Sequence, residues 1–231
     1  METLNIYSAL ALKAPFEHIE ELWSAKHPDI ALNFFWHPSR IIEEKLQSEG
    51  VTGDIVIATV ETLDRLITSG LVQDESRIEL VDSPIGVAVK TGDPKPDISS
   101  TDLLVTSLLE ARSVAWSEAG ASGIYFSGLL KKLNIDKELR SRGTVITAGF
   151  TAEQLINGNA DLAIQQISEL LMVDGVDIVG SLPDEVQSPI SLSAGLLIDT
   201  PLSVSSQYWL KWLKTPTVLD IFSQYGLTER H

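Results

Sequence analysis

The sequence predicts an α/β fold of two lobes, each a doubly wound, mostly parallel sheet flanked by helices. Three observations predict it. Short apolar runs of strand length alternate with stretches of helical spacing along most of the chain. Several of these runs pass into the next helix through small or hydroxyl residues, as at Ser8-Ala9, Ala58-Thr59 and Ala119 to Ser122. One run, Ile85-Gly86-Val87-Ala88-Val89, is apolar throughout, the pattern of a strand buried on both faces.

In chain order, Leu4 to Ser8 reads as the first strand. Phe16 to Lys26 reads as an amphipathic helix, with Phe16, Ile19, Leu22 and Trp23 on one face and Pro15 near its start. Ile30 to Phe35 is a second strand, His37 to Arg40 a turn, and Ile41 to Glu49 a helix. Asp54 to Ala58 is a strand, and Val60 to Ser69 a helix closed by Gly70. Arg77 to Val81 and Ile85 to Val89 are strands, with a turn-rich loop at Gly92 to Asp97. Ser99 to Glu110 is a helix capped by Ser99 or Ser100. Arg112 to Trp116 is a strand, Ile124 to Leu133 a helix, and Thr144 to Ala148 a strand. Thr151 to Asn157 is a helix ended by Gly158, where a left-handed conformation costs little. Ala160 to Gln166, Val176 to Val179 and Ile190 to Leu197 are strands. Val204 to Leu213 and Thr217 to Gln224 are helices, closed by Gly226. Two units follow, divided near Ser83 and again near Asp174 to Gly180. Residues 1–82 with 180–231 make one lobe and 83–179 the other.

The 231 residues carry a formal net charge of −15, which disfavours nucleic acid and anionic membrane surfaces as partners. A small anionic ligand stays open, since a local site can oppose the global charge. With no cysteine, disulfides, thiolate metal sites and a cysteine nucleophile are excluded. The four histidines are scattered without metal-ligand spacing, so neither a metal nor a cofactor is expected. No apolar run approaches the ~18 residues of a membrane span. The chain enters its first strand at Leu4 with no basic and apolar leader pattern. The expected compartment is the cytoplasm if this start is native, and the periplasm if a leader has been removed.

One stretch, Glu118 to Phe126, stands out. Small residues sit where a strand gives way to a helix, and the first N–H groups of a helix have no intrahelical acceptor and lie at its positive end. Gly120 and Gly123 would let a ligand approach that backbone, and Ser122 could cap the helix or donate its hydroxyl. The arrangement suits an oxyanion or a carboxylate. It equally suits a helix start packed on its neighbouring strand with no ligand. In an open α/β sheet, ligands bind beyond the carboxyl ends of strands. Those ends carry Ser8-Ala9, His37 to Ser39, Ala58-Thr59, Ala119 to Ser122, Gly149 to Thr151 and Gln165 to Glu169, which are expected to converge on a cleft between the lobes.

On these markers the chain resembles the type II periplasmic solute-binding proteins, close to the molybdate-binding branch. The markers are Leu4 to Ser8, Gly53 to Ile57, Ile85 to Gly92, Ala119 to Phe126, Gly158 to Ala163 and Trp209 to Gly226. The resemblance implies two lobes joined by two crossing segments and closing on an anion. It places binding serines at Ser8 and Ser39, and backbone donors at Ala121-Ser122 and Phe150-Thr151. Where the branch carries a tyrosine, this chain has Gln166. That departure counts against molybdate itself. The run Gln165-Gln166-Ile167-Ser168-Glu169 resembles a divergent subgroup that includes a bacterial aconitate isomerase.

Individual residues then carry two readings each. Lys13 could pair with a ligand carboxylate or be a solvated lysine at a helix start. Arg40 has the same choice at the second helix. His37, in a strand-to-helix loop, is either a general base or a turn histidine. Glu169 is a second candidate base or the partner of a lysine. Tyr125 points either to the ligand or to the core. Gln165 and Gln166 point to opposite sides of a strand, so at most one faces a ligand. A glutamine amide both donates and accepts, which suits an organic acid better than a bare oxyanion. The aromatic Trp116, Trp209 and Trp212 read as core.

Two functions are compatible with this set. The first is a binding module for a small di- or tricarboxylate, delivering it to a transporter if exported. The second is an aconitate-isomerase-type enzyme, performing an allylic proton shift without cofactor. A molybdate-type oxyanion binder is a third.

Overall fold

A computed structural model describes residues 2–48 and 52–231. Its elements in order are β1 (Glu2–Ala9), α1 (Lys13–Lys26), β2 (Ile30–His37), α2 (Ser39–Leu46), β3 (Ile55–Thr59), α3 (Val60–Thr68), β4 (Ile78–Ser83) and β5 (Ile85–Lys90). Then come α4 (Thr101–Glu110), β6 (Val114–Ser117), α5 (Ala121–Lys132), α6 (Asp136–Arg142), β7 (Thr144–Ile146), α7 (Glu153–Ile156), β8 (Leu162–Gln166) and α8 (Ile167–Leu170). The chain finishes with β9 (Val176–Ser181), β10 (Ile190–Leu196), α9 (Ser203–Leu213), α10 (Pro216–Gln224) and β11 (Thr228–Glu229). The expected helix end at Glu49 lies outside the described residues.

The chain divides into two α/β units. Unit 1 is Met1–Asp82 with Ser191–His231, and unit 2 is Ser83–Ile190. The first division falls after Asp82. The second falls at Ile190 rather than near 174–180, because β9 pairs with β5 and so belongs to the sheet of unit 2.

The sheet of unit 1 runs β11-β4-β10-β3-β1-β2. β2, β1 and β3 are parallel, whereas β10 lies antiparallel to β3 and β11 antiparallel to β4. The sheet of unit 2 runs β7-β6-β8-β5-β9, with β7, β6 and β8 parallel and β5 antiparallel to both β8 and β9. Both sheets are therefore mixed. Apolar runs such as Ile85–Val89 specify burial but not direction, so the antiparallel strands were invisible to periodicity alone.

Each sheet is covered on both faces. In unit 1, Phe16 of α1 stacks on Phe34 of β2 at 5.2 Å and meets Trp209 of α9 at 5.7 Å and Phe222 of α10 edge-on at 5.9 Å. The Trp23 indole donates to the Ile30 carbonyl at 2.9 Å, so burial of this ring leaves its N–H partnered. The opposite face holds Tyr7, Val56 and Ala58 under Ile42 of α2 and Leu63 and Leu66 of α3. In unit 2, Ile85, Val87, Trp116 and Ile164 pack against Phe126 and Leu130 of α5. The other face carries the smaller Ala88, Ala115 and Ala163 beneath Leu155 and Leu170. Ser100 caps α4 by accepting from the Leu103 N–H at 3.3 Å.

Candidate functional site

In unit 1 the parallel pairing of β1 and β2 sets Ala9 opposite His37, and Ser8 opposite Trp36. Ser8 is fully buried, and its hydroxyl has only a 3.5 Å contact with the Ala9 carbonyl, too long to hold it firmly. β2 then turns through Pro38, the N-cap of α2, so Ser39 is the first helical residue. The Ser39 hydroxyl accepts from the Thr59 N–H at 3.0 Å, which ties the start of α2 to the end of β3 and leaves its own O–H free to donate. Ser8, Ala9, His37 and Ser39 are thus brought together at the carboxyl ends of neighbouring strands. Burial holds the His37 pKa below its ordinary value, and the nearby Lys45 charge lowers it further, both favouring the neutral imidazole.

Lys13 begins α1 after the short 310 turn Leu10–Leu12, is half-buried, and has no ion pair among the described residues. Arg40 behaves differently. Its side chain is 72% exposed and pairs along its own helix with Glu44 at 3.0 Å. Of the two readings of Arg40, this geometry shows the helix-surface one. A groove of about 510 Å³ in unit 1, lined by Asn5, Asp54 and Leu197, lies at the opposite end of β1 and β3 from Ser8.

In unit 2, α5 starts at Ala121 with Gly120 as N-cap, and its first helical bond runs from the Ile124 N–H to the Gly120 carbonyl. The N–H groups of Ala121, Ser122 and Gly123 and the Ser122 hydroxyl have no hydrogen-bond partner within the protein among the described residues. Gly123 is needed for packing rather than for ligand approach. A Cβ there would overlap the Ser117 carbonyl oxygen, because α5 sits directly on the end of β6. Tyr125 turns to the core, where its hydroxyl donates to the Val186 carbonyl at 2.7 Å. That bond answers which way the ring points.

The loop before α7 is fixed by Gln165. Its Oε1 accepts from the Thr151 N–H at 2.7 Å and the Thr151 hydroxyl at 3.0 Å, and its Nε2 donates to the Gly149 carbonyl at 3.1 Å. The donor expected at Thr151 is therefore committed inside the unit, whereas the Phe150 N–H is not. Gln165 anchors the loop at Thr151 and Gly149, and Gln166 donates to Glu169, on opposite sides of β8, although both side chains help to lower the Glu169 pKa. Gln166 is the N-cap of α8, and its Nε2 donates to Glu169 Oε2 at 3.1 Å. Glu169 is the third residue of that turn, the N3 position from which an acid reaches back toward its cap. Glu169 is 6% exposed. Burial raises its pKa to about 7, against the hydrogen bonds from Gln166 and Gln165 that pull it down.

Sequence reasoning missed three groups here. Gln187 clamps both backbone groups of Ile85, accepting from its N–H at 3.2 Å and donating to its carbonyl at 2.8 Å. The hydroxyls of Ser83 and Ser168 are buried without a partner, as is Gln166 Oε1. The two serines flank the bond from the Ile167 N–H to the Pro84 carbonyl, which joins α8 to the start of β5. No composition signal marks an isolated buried serine. Among the described residues no cluster of three or more His, Asp or Glu could hold a metal, and no helix is long and apolar enough to cross a membrane.

Two α/β units of this topology, with donors gathered at strand ends, are matched by one sequence family over residues 4–228. The chain belongs to the family described as bacterial extracellular solute-binding protein. Among individual relatives of this solute-binding protein is an aconitate isomerase from Pseudomonas sp., 35% identical over 175 residues. The match spans 75% of this chain and 66% of that protein, just under two thirds of its length. The periplasmic molybdate-binding protein of Azotobacter vinelandii superposes with a TM-score of 0.82, at 17% identity, over 99% of this chain and 100% of that one. The sulfate-binding protein SubI of Mycobacterium tuberculosis superposes with a TM-score of 0.75, at 12% identity, over 99% of this chain and 87% of that one. These two structures share the fold of the solute-binding protein at identities that speak for the fold alone.

Proposed function

We propose that this solute-binding protein takes a small organic anion with two or three carboxylates. The observation that carries this reading is the set of uncommitted donors at strand ends. The hydroxyls of Ser8, Ser39 and Ser122 and the N–H groups of Ala121, Ser122 and Gly123 can all donate to an anion. In unit 1, Ala9 follows Ser8 at the end of β1 and Lys13 adds a cation; in unit 2, the Phe150 N–H is a further uncommitted donor. Gln166, which can donate and accept, supports an organic acid over a bare tetrahedral oxyanion. The relative named aconitate isomerase supports the tricarboxylate end of that range. Delivery to a membrane transporter would follow from membership of the family.

A thermal-shift screen across oxyanions and carboxylates tests the reading. Citrate or an aconitate should stabilise the protein more than molybdate or tungstate. Ligand at a hundredfold over Kd adds about 2.7 kcal/mol of stability. A shift with molybdate alone overturns it.

The same relative, together with a buried carboxyl near pKa 7, favours a second reading, isomerisation of an unsaturated tricarboxylate. A base removes a proton from a carbon acidified by neighbouring carboxylates. Donors hold the enolate-like charge, and the proton returns at the other end of the allyl system. His37 and Glu169 are the candidate bases. Proton NMR of cis-aconitate incubated with the protein should then show trans-aconitate, and binding without conversion rules this reading out.

A further inference from the structure

We propose that Ile124 is a specificity-determining residue of unit 2, giving the anion-binding start of α5 an apolar flank that takes the carbon skeleton of an organic acid and disfavours an inorganic oxyanion. This rests on the reading of the protein as a carboxylate binder with donors at Ala121, Ser122 and Gly123.

The side chain lies on the wrong side of its helix for core packing. α5 turns Phe126, Leu129 and Leu130 to the core of unit 2. Its outer face is otherwise small or charged, with Ala121, Gly128 and Lys131 three before, four after and seven after Ile124. Ile124 sits among them at 58% exposure, the highest of any large apolar side chain in unit 2 among the described residues. An apolar residue at N4 of a helix often packs on an apolar residue at N′. With Gly120 as N-cap, that residue is Ala119, whose single methyl leaves most of the isoleucine uncovered.

Lone exposed apolar side chains are ordinary on protein surfaces, so position carries the argument. Helical side chains lean toward the helix N-terminus and cover the turn before their own Cα. For Ile124 that turn is Gly120 to Gly123, which holds the uncommitted N–H groups. Ser122 marks the same turn independently. The residue is only 2% exposed, yet its hydroxyl has no hydrogen-bond partner among the described residues.

Two kinds of anion fare differently beside such a flank. A carboxylate held by both oxygens has carbon on its remaining side, and carbon set against Ile124 leaves water favourably. A tetrahedral oxyanion held by two or three oxygens directs at least one more outward. An oxygen set against Ile124 loses water and finds no donor, which counts against that anion. The flank therefore selects by what the charged group is attached to, whereas the N–H groups select by charge.

The test is calorimetry with trans-aconitate and with molybdate on the unaltered protein, Ile124→Leu and Ile124→Ser. The position is exposed, so without ligand all three should melt within about 2 °C of one another. Ile124→Leu keeps the apolar surface and should hold the affinity for trans-aconitate. Ile124→Ser should weaken it about tenfold, the loss expected when roughly two methylene groups no longer leave water. The negative heat-capacity change of binding should shrink with it. Affinity for molybdate should not fall in Ile124→Ser. Unchanged trans-aconitate affinity in Ile124→Ser, an equal loss in Ile124→Leu, or a parallel loss for molybdate overturns the role of Ile124 while leaving carboxylate binding standing. No binding of trans-aconitate or citrate by the unaltered protein overturns the functional reading and the role of Ile124 with it.

Discussion

Gln165 holds Thr151 at two points, accepting from its N–H at 2.7 Å and from its hydroxyl at 3.0 Å, with all the atoms involved buried. The pair fixes the loop whose neighbouring Phe150 N–H is a candidate ligand donor. Gln165→Leu would leave the buried Thr151 N–H without a partner, whereas the Gly149 carbonyl, on an exposed residue, can turn to water. A buried orphan costs about 1–3 kcal/mol. Urea unfolding should show a loss in that range. An unchanged midpoint would mean that water reaches the Thr151 N–H as well.

Two glycines of α5 should respond oppositely to alanine. At Gly123 a Cβ meets the Ser117 carbonyl, which is backbone and does not yield, so Gly123→Ala should lose about 3 kcal/mol or more. At Gly128, in the middle of the same helix, a Cβ meets nothing within 4 Å. Gly128→Ala should gain roughly 0.5–1 kcal/mol from helix propensity. Equal effects in denaturant melts would contradict the close seating of α5 on β6.

The raised pKa of Glu169 links stability to pH. The carboxyl titrates near 4.5 in an unfolded chain and at about 7 when folded, so the folded protein holds more protons between those values. Its contribution is full below pH 4.5 and is lost as pH rises through 7. The span is at most about 3 kcal/mol. Glu43 and Glu79, whose pKa values are lowered, act in the opposite sense at lower pH, so the comparison is between the parent and Glu169→Gln. The variant should be the more stable of the two at pH 8, with the gap closing by pH 4.5. A gap independent of pH would place the carboxyl in contact with water.

If the chain isomerises aconitate and His37 takes the proton, His37→Gln should reduce turnover about 10²–10⁴-fold while leaving Kd within a few-fold. Turnover at the parent rate would move the base elsewhere, with Glu169 next.

The elements that sequence reading located best are those with a stop signal. Gly70, Gly158 and Gly226 all adopt the positive φ that ends a helix cheaply. The four-residue α8 was missed, because a single turn beginning directly at a strand end has no period to detect. The alternation of Gln165 and Gln166 was legible, but which of them held a loop and which held Glu169 depends on the side chains that the fold brings across. Tyr125 was ambiguous for the same reason. Its partner, the Val186 carbonyl, is 61 residues away and belongs to no motif.

Unit 1 is assembled from two separate stretches of chain, and β10, from the second stretch, lies between β3 and β4 of the first. On the ribosome, the sheet of unit 1 therefore has a gap until β10 emerges. Unit 2 is continuous, and its sheet can close while that gap is still open. Folding should accordingly be sequential, with unit 2 protected from proteolysis in nascent chains that are arrested before β10 and unit 1 protected only afterwards.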